Sequence, residues 1–355
     1  MTSRLARSAL ASIVFLLAGC TATSSTPTST SATDPASGST TASATAAADL
    51  GSQLAQQILR DYNVRNNPAI AASATGDPTG WKAADTGITL EQDLFGTVDA
   101  RVNKTLKPAS PFDFTSKELI VASPEGAYPR WAVIEFGESE RAGGTASPSA
   151  TASVSPADRR VVRVFVQPAA DAPWLMENHI TVPRPVTAAT AGATATAREA
   201  SAAESADARS ALQRALDYLT FGREAPEVDL GSIPASRSSL LIPAKDNIRD
   251  TTLVCSTYVP PAGVPGYGNS RAFVVEGTVV LIGSISCSAS VMLKRSVSTT
   301  AWERAILGAE ESTKGVTFSY VGTIVVSTTP GSRPTVSWWR LSDALAPAVM
   351  VRERG

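Results

Sequence analysis

Two short apolar stretches decide the fold: Trp131–Phe136 (WAVIEF) and Val161–Val166 (VVRVFV). Both are rich in β-branched and aromatic residues, which favour β-strands. Residues 142–157 lie between them and are rich in Gly, Ser, Thr, Ala and Pro, a composition typical of a loop. Each stretch needs the other to bury its apolar face. We therefore expect an antiparallel strand pair joined by a long disordered loop.

Helical patterns precede this strand pair. Apolar residues recur at helical spacing from Asp49, a plausible N-cap, to about Val64, and again over Leu90–Val102. The motif Asn66-Asn67-Pro68 predicts a loop after the first helix. Two more strands are expected in this half of the chain, at Phe112–Val121 and Trp174–Ile180.

The second half of the chain repeats the order of a helix followed by strands. An apolar stripe that closes at Phe221-Gly222 predicts the helix. The members of this stripe are Ala208, Leu212, Ala215, Leu216 and Leu219. The expected strands are Leu253–Val259, Ala272–Gly283, Ser284–Lys294, Val316–Ser327 and Thr335–Leu341.

These patterns predict an α+β fold of two units, each a helix packed on a curved antiparallel sheet. The order and length of the elements resemble the cone-shaped α+β fold of the nuclear-transport-factor-2-like (NTF2-like) and cystatin-like group. That resemblance is one of fold and carries no function.

The composition excludes several classes of function. The 355 residues include 31 Lys and Arg, 32 Asp and Glu and one histidine, which gives a formal net charge of −1. Such a balance provides no electrostatic footprint for a nucleic acid. A single histidine excludes sites that need two, which covers most zinc hydrolases. We expect no metal, no cofactor and no nucleic-acid partner.

The first twenty residues carry the features of an export signal. Arg4 and Arg7 precede an apolar run from Ala9 to Leu17, which is too short to span a bilayer. Leu17-Ala18-Gly19-Cys20 resembles the lipobox of bacterial lipoproteins. The resemblance implies that Cys20 is acylated, becomes the mature N-terminus and holds the chain on the extracytoplasmic face of the cell membrane.

The two remaining cysteines, Cys255 and Cys287, lie in expected strands of the same unit. An even number of remaining cysteines in an exported protein favours a disulfide, which here would join neighbouring strands. Two free, buried thiols are the alternative. The absence of a Cys-x-x-Cys motif argues against a thiol–disulfide enzyme.

Trp338-Trp339 is the most unusual local feature. Neighbouring residues of a strand point to opposite faces, so one tryptophan belongs to the core and the other can form a contact surface. Burial of both, one under a helix and one under the other unit, is the alternative.

No assembled catalytic site is evident. His179 has no Gly-x-Ser-x-Gly motif to serve as nucleophile elbow. The acidic pairs Glu138 with Glu140 and Glu310 with Glu311 stand in apparent loops, where carboxylates are normally solvated. We therefore expect no catalytic residue.

The lipobox, a Ser/Thr/Ala-rich tether and two α+β units together resemble a family of actinobacterial lipoproteins of unassigned function. Ala172-Pro173-Trp174-Leu175 is a further local similarity. The family implies location and architecture and offers no catalytic residues. The expected organisation is a signal peptide at 1–19, lipidated Cys20 and a disordered tether at 20–48, unit one at 49–185, a linker at 186–206, unit two at 207–346 and a tail at 347–355.

The sequence thus predicts a non-enzymatic lipoprotein of the cell envelope that binds another envelope protein or a small apolar ligand in the cone of a sheet. A hydrolase of cell-wall glycan with paired carboxylates about 5–10 Å apart is the alternative. A structural spacer without a pocket is a third interpretation.

Overall fold

The computed structural model describes residues 40–109, 112–126, 128–140, 160–182, 197–241, 247–260, 267–268, 270–307 and 312–343. The chain forms two compact units, Met1–Ser43 and Ala44–Gly355. Apart from the first residues of α1, the elements described below belong to the second unit. The predicted signal peptide, Cys20, the tether up to residue 39, the loop 142–157, Glu310 with Glu311 and the tail 347–355 lie outside the described residues. The side chains of Glu138 and Glu140 are not described either.

The helices are α1 (Thr40–Ser73), α2 (Trp81–Ala84), α3 (Gly87–Asn103), α4 (Ala206–Phe221), α5 (Ile233–Leu240) and α6 (Ala301–Leu307). The strands of the first sheet, sheet A, are β1 (Phe112–Ala122), β2 (Arg130–Glu140), β3 (Arg160–Gln167) and β4 (Leu175–Val182). Those of the second, sheet B, are β5 (Ala197–Glu199), β6 (Ile248–Thr257), β7 (Ser270–Val275), β8 (Thr278–Ser298), β9 (Ser312–Thr328) and β10 (Thr335–Asp343).

Sheet A contains the strand pair that the sequence predicts. Its order is β1-β2-β3-β4, all antiparallel. Trp131 pairs with Val166 and Phe136 with Val161, so the two apolar stretches lie directly opposite each other. The prediction of an antiparallel pair is confirmed.

Sheet B is built around the long strand β8. Its order is β10-β9-β8-β7-β5, and β6 pairs with the distal half of β8. The predicted break between Gly283 and Ser284 is wrong, since β8 runs unbroken through both. The chain instead turns at Glu276-Gly277, where both residues have positive φ (48° and 77°). Two successive left-handed residues match the twist of a tight hairpin.

Helix α1 is longer at both ends than the sequence predicts, and Asp49 is not its N-cap, because the helix begins at Thr40. The expected loop at Asn66-Asn67-Pro68 is wrong, because the helix continues through Pro68 to Ser73. Proline in a helix interior costs about 3 kcal/mol. Burial of Tyr62 and Ala69 on either side of Pro68 offsets that cost, and tertiary packing overrides the local signal.

The elements form four layers, helix, sheet, sheet and helix. Buried side chains of α1 cover one face of sheet A, where the rings of Tyr62 and Phe165 meet edge to face at 5.3 Å. Helix α4 covers one face of sheet B. The remaining faces share one apolar core, formed by Ile120, Val121, Trp131, Val133, Val162, Val164 and Ile180 of sheet A and by Phe273, Val275, Val280, Ile282 and Val325 of sheet B. The fold class is α+β with antiparallel sheets, as predicted.

Part of the segment predicted as a linker belongs to sheet B. Ala197 pairs with Val275 and Glu199 with Phe273, which makes β5 an edge strand. None of the described helices combines the length and hydrophobicity that a membrane-spanning helix requires.

Gly322 of β9 is expected to be intolerant of substitution. A Cβ at this position would collide with the carbonyl oxygen of Arg340 on β10. We expect Gly322→Ala to lower the free energy of unfolding by about 1–3 kcal/mol in urea titrations, because the two strands must separate. Gly96 of α3 is the matched control, since a Cβ there meets nothing within 4 Å. Gly96→Ala should stabilise by about 0.5–1 kcal/mol, and equal losses in both variants would contradict the steric explanation.

Candidate functional site

A groove of about 450 Å³ lies between the C-terminal end of α1, helices α2 and α3, and residues 105–109. Its walls are mostly apolar, and Ile70, Trp81 and Leu106 are the largest apolar side chains among the residues that line it. Among the described residues that line it, Asp93 is the only acid and Lys107 the only base. The groove therefore combines an apolar surface with one carboxyl group, within the volume range of ligand sites.

Local hydrogen bonds fix the groove walls. The indole Nε1 of Trp81 donates to Thr97 Oγ1 at 2.9 Å, and that hydroxyl donates to the Asp93 carbonyl oxygen at 2.9 Å. Lys104 ends α3 in a left-handed conformation. The following Thr105 N–H donates to the Ala100 carbonyl oxygen at 2.8 Å, which turns the chain back along the helix.

The acid of this groove, Asp93, forms a pair with a second, buried carboxyl group, that of Asp85. Asp85 is 1% exposed, and its Oδ1 accepts a hydrogen bond from the Tyr62 hydroxyl at 2.9 Å. The carboxyl groups of Asp85 and Asp93 interact directly, and Asp85 Oδ2 is buried without a hydrogen-bond donor among the described residues. An ionised carboxylate only accepts hydrogen bonds, so a hydrogen bond between the two carboxyl groups needs a proton on one of them.

Burial determines which carboxyl group holds the proton. It raises the pKa of Asp85 well above its usual range, and the neighbouring charge of Asp93 adds to this effect. Burial also raises the pKa of Asp93, to about 6, while the hydrogen bond from Asp85 and the charge of Arg163 oppose the rise. At neutral pH Asp85 is the protonated member and Asp93 the ionised one.

This pair does not match the geometry of a glycoside hydrolase. Such enzymes place two carboxyl groups at least about 5 Å apart, on opposite sides of the scissile bond. Asp85 and Asp93 interact directly with each other, and of the two only Asp93 lines the groove. The pair can hold one proton and present one negative charge to the groove.

A second, shallower groove of about 320 Å³ lies between α4, the start of α5 and the β9–β10 turn. Glu224 and Asp229 line it, and both are exposed to solvent. Asp229 Oδ1 accepts a hydrogen bond from the Gly231 N–H at 3.0 Å, which is a turn contact. Neither carboxylate has the enclosure that the acid catalyst of a glycosidase needs.

Two buried polar pairs join the halves of the fold. The Tyr258 hydroxyl donates to Glu91 Oε1 at 2.6 Å, and Nη2 of Arg271 lies 3.0 and 3.2 Å from the two carboxylate oxygens of Glu177. Burial raises the pKa of Glu177, an effect that the Arg271 charge opposes. Sequence reasoning missed these pairs because their members are 167 and 94 residues apart.

The predicted disulfide is present. Cys255 of β6 and Cys287 of β8 lie directly opposite each other and are bonded. Both are buried beneath α4. Thr220 of α4 accepts a hydrogen bond from the Cys255 N–H at 2.9 Å, which holds the helix against this strand.

The structure bears differently on the three remaining candidates, Trp338, Trp339 and His179. Trp339 is half-buried and packs against the core under α4. The side chain of Trp338 lies outside the described residues, so its role as a contact surface stays a prediction. Burial, with the charges of Arg163 and Arg340, lowers the pKa of His179 to about 4. His179 is therefore neutral over most of the physiological range.

Comparisons with known proteins give little more. No family model matches the chain, and no curated protein does. One solved structure, an "Ntf2 like protein involved in plasmid conjugation", is similar over 76% of this chain and 93% of its own, with 9% identity and a TM-score of 0.16. A TM-score of this size carries no argument, and the cone-shaped fold stays an analogy. Within the described ranges, no group of three or more His, Cys, Asp or Glu could hold a metal ion.

Proposed function

We propose that the chain is a non-enzymatic lipoprotein of the cell envelope, anchored through Cys20, and that its groove beside Asp93 docks a segment of another envelope protein. One observation carries the docking proposal: an open, apolar groove contains one partly enclosed carboxylate. The resemblance of Leu17-Ala18-Gly19-Cys20 to a lipobox supports the anchor.

The groove indicates the chemistry of the partner. Its apolar wall around Trp81 and Leu106 suits an aliphatic side chain. An ionised carboxylate in a desolvated position is stabilised by a cation placed opposite to it. The segment that fits best therefore carries a Lys or Arg next to an apolar residue.

The interior favours a protein partner over a small apolar ligand. A ligand in the cone of a sheet would occupy the space between α1 and sheet A. Tyr62 and Phe165 fill that space and are fully buried. The groove lies outside this core, where a partner can reach it.

The position of the groove suits a chain that is held at its other end. It is formed in part by the last turn of α1, and the proposed anchor and the first part of the expected tether, up to residue 39, precede that helix. The 30 residues from Ala44 to Ser73 span about 45 Å at 1.5 Å per residue. A partner would then be engaged well away from the tethered end of the helix.

Site-specific photo-crosslinking in the native envelope tests the docking proposal. Leu106, which lines the groove and is 38% exposed, receives the photoreactive side chain. Val254 of β6, 57% exposed and in neither groove, is the matched control. We expect one discrete adduct at position 106 only, with a basic residue of the partner beside the crosslink by mass spectrometry. The chain should occur in the membrane fraction, and a Cys20→Ala chain should not.

A blocking variant sharpens this test. Ala100 lines the groove, so Ala100→Trp should reduce the adduct at least about fivefold by filling the site. Ala206→Trp, on the exposed start of α4, should leave the yield unchanged. Equal adducts at positions 106 and 254, or release of sugar from cell-wall glycan by the purified chain, would contradict the proposal.

A further inference from the structure

The carboxyl pair, Asp85 and Asp93, connects every helix that forms the groove. Asp85 follows α2, and its N–H donates to the Trp81 carbonyl oxygen at 2.8 Å. Its side chain is bonded to Tyr62 of α1 and to Asp93 of α3. Asp93 is at the same time the acid of the groove wall. A change in the protonation of this pair therefore acts directly on the groove.

The Tyr62 hydroxyl fixes Asp85 from the side of α1. It donates its hydrogen to Asp85 Oδ1 at 2.9 Å, and Asn66 Oδ1 lies 3.1 Å from the same hydroxyl oxygen. The other carboxyl oxygen of Asp85, Oδ2, is buried and accepts no hydrogen bond from the residues that the structure describes. With both Asp85 and Asp93 ionised, two negative charges would face each other in this buried position, so the geometry favours one proton on the pair.

We propose that the carboxyl pair is a proton-operated switch: with one proton it presents a negative charge to the groove, and with two it removes that charge and releases a basic partner. The release rests on the proposed function. The switch itself rests on the pair and the groove.

Several charged and titratable groups stand around the pair. Glu91, two residues before Asp93 on α3, also has a pKa that burial raises, and the Tyr258 hydroxyl donates to it. Tyr62 faces the pair from α1, and burial raises the pKa of that hydroxyl well above its usual range. Arg163 faces the pair from β3, and its neighbour His179 on β4 titrates at about 4. Lys107 stands on the groove wall, and Asp61 with Arg65 forms an ion pair of its own on α1. The Asp93→Asn variant separates the response of the pair from that of Glu91.

Carboxyl-carbon NMR of the purified full chain tests the switch without a partner. One aspartate resonance should titrate at about pH 6, and Asp93→Asn should abolish it, whereas the exposed control Asp171→Asn should not. Asp85→Asn retains a donor to Asp93 and should leave this pKa nearly unchanged. Asp85→Leu removes the donor and should raise the pKa of Asp93 by about one unit, because ionised Asp93 then loses a hydrogen bond. If all aspartates titrate near 4, the switch is overturned.

Urea unfolding supplies an independent readout. The folded-state pKa of Asp93 is raised, so its stabilising contribution is complete below pH 3.8 and is lost as the pH rises through about 6. The Asp93→Asn chain does not lose stability in this way as the pH rises. Its unfolding midpoint should therefore exceed that of the parent chain at pH 7.5 and approach it at pH 4, while an equal offset at both pH values would contradict the inference.

Crosslinking at position 106 tests the consequence for docking. If a cation binds only ionised Asp93, the adduct should fall about tenfold between pH 7.5 and pH 5. It should be weak at both pH values with Asp93→Asn. An adduct at pH 7.5 that persists at pH 5 would overturn the switch. A carboxyl group that titrates at about 6 without any adduct would instead refute the proposed partner and leave the switch intact.

Discussion

Replacement of Arg271 by Met is expected to lower the free energy of unfolding by about 3–5 kcal/mol, as for other buried ion pairs that lose one member. The side chains of Arg271 and Glu177 are only 11% and 7% exposed. The guanidinium also lies 5.9 Å from the centre of the Trp131 ring. Methionine fills similar space without a charge, which leaves the Glu177 carboxylate buried without a cation.

The control for this prediction is the double variant. Glu177→Gln with Arg271→Met removes both charges together, so most of the lost stability should return. The deficit of Arg271→Met should also grow as the pH rises. Without the Arg271 charge, Glu177 has a still higher pKa in the folded state. At low pH the folded variant therefore binds a proton at Glu177 and loses less stability, whereas at high pH the carboxylate is buried with its charge. Simple additivity of the single variants in urea titrations at pH 5 and pH 8 would show that the pair is not coupled.

The strand pattern was predictable because it is local. The stretches at 131–136 and 161–166 pair in the register that their apolar faces require. The stripe of α4 is buried as its spacing indicates, and Gly222 ends the helix in a left-handed conformation. In these elements short-range periodicity and burial agree.

The glycines of sheet B were less predictable, because one residue type serves different purposes. Gly277 occupies a turn with positive φ. Gly283 lies inside β8, where a Cβ would come 2.9 Å from Leu212 Cδ2 of α4. It permits the close approach of the helix and does not bend the strand. Sequence alone does not distinguish a glycine that is needed for a positive φ from one that is needed because a neighbouring side chain leaves no room for a Cβ.

The carboxyl pair left a weak signal that could have been used. Thr89 and Asp93, four residues apart, lie on one side of the start of α3, and Asp85 stands just before that helix. Polar residues in that pattern next to buried Ile88 and Leu90 are unusual. The Tyr62 partner could not be inferred, because it depends on how α1 packs.

Removal of the disulfide is the other change with a large expected effect. The Cys255→Ala, Cys287→Ala chain should lose about 4 kcal/mol of unfolding free energy, since the bond closes a loop with a sequence separation of 32. Ser256 and Ser286, the next opposed pair on the same strands, provide the control. Their hydroxyl groups are 3.4 Å apart and exposed, so Ser256→Ala with Ser286→Ala should change stability by less than about 1 kcal/mol.

This loss also links the fold to the proposed location. A bond between cysteines persists in the oxidising space outside the cytoplasm and is not maintained inside it. Parent chain unfolded with reductant present should match the double alanine variant within about 1 kcal/mol, because both lack the cross-link. Chain produced in a reducing cytoplasm should share that lower stability until it is oxidised. If reduction leaves the urea midpoint of the parent unchanged, the cross-link does not stabilise sheet B, and the need for an oxidising compartment loses its structural support.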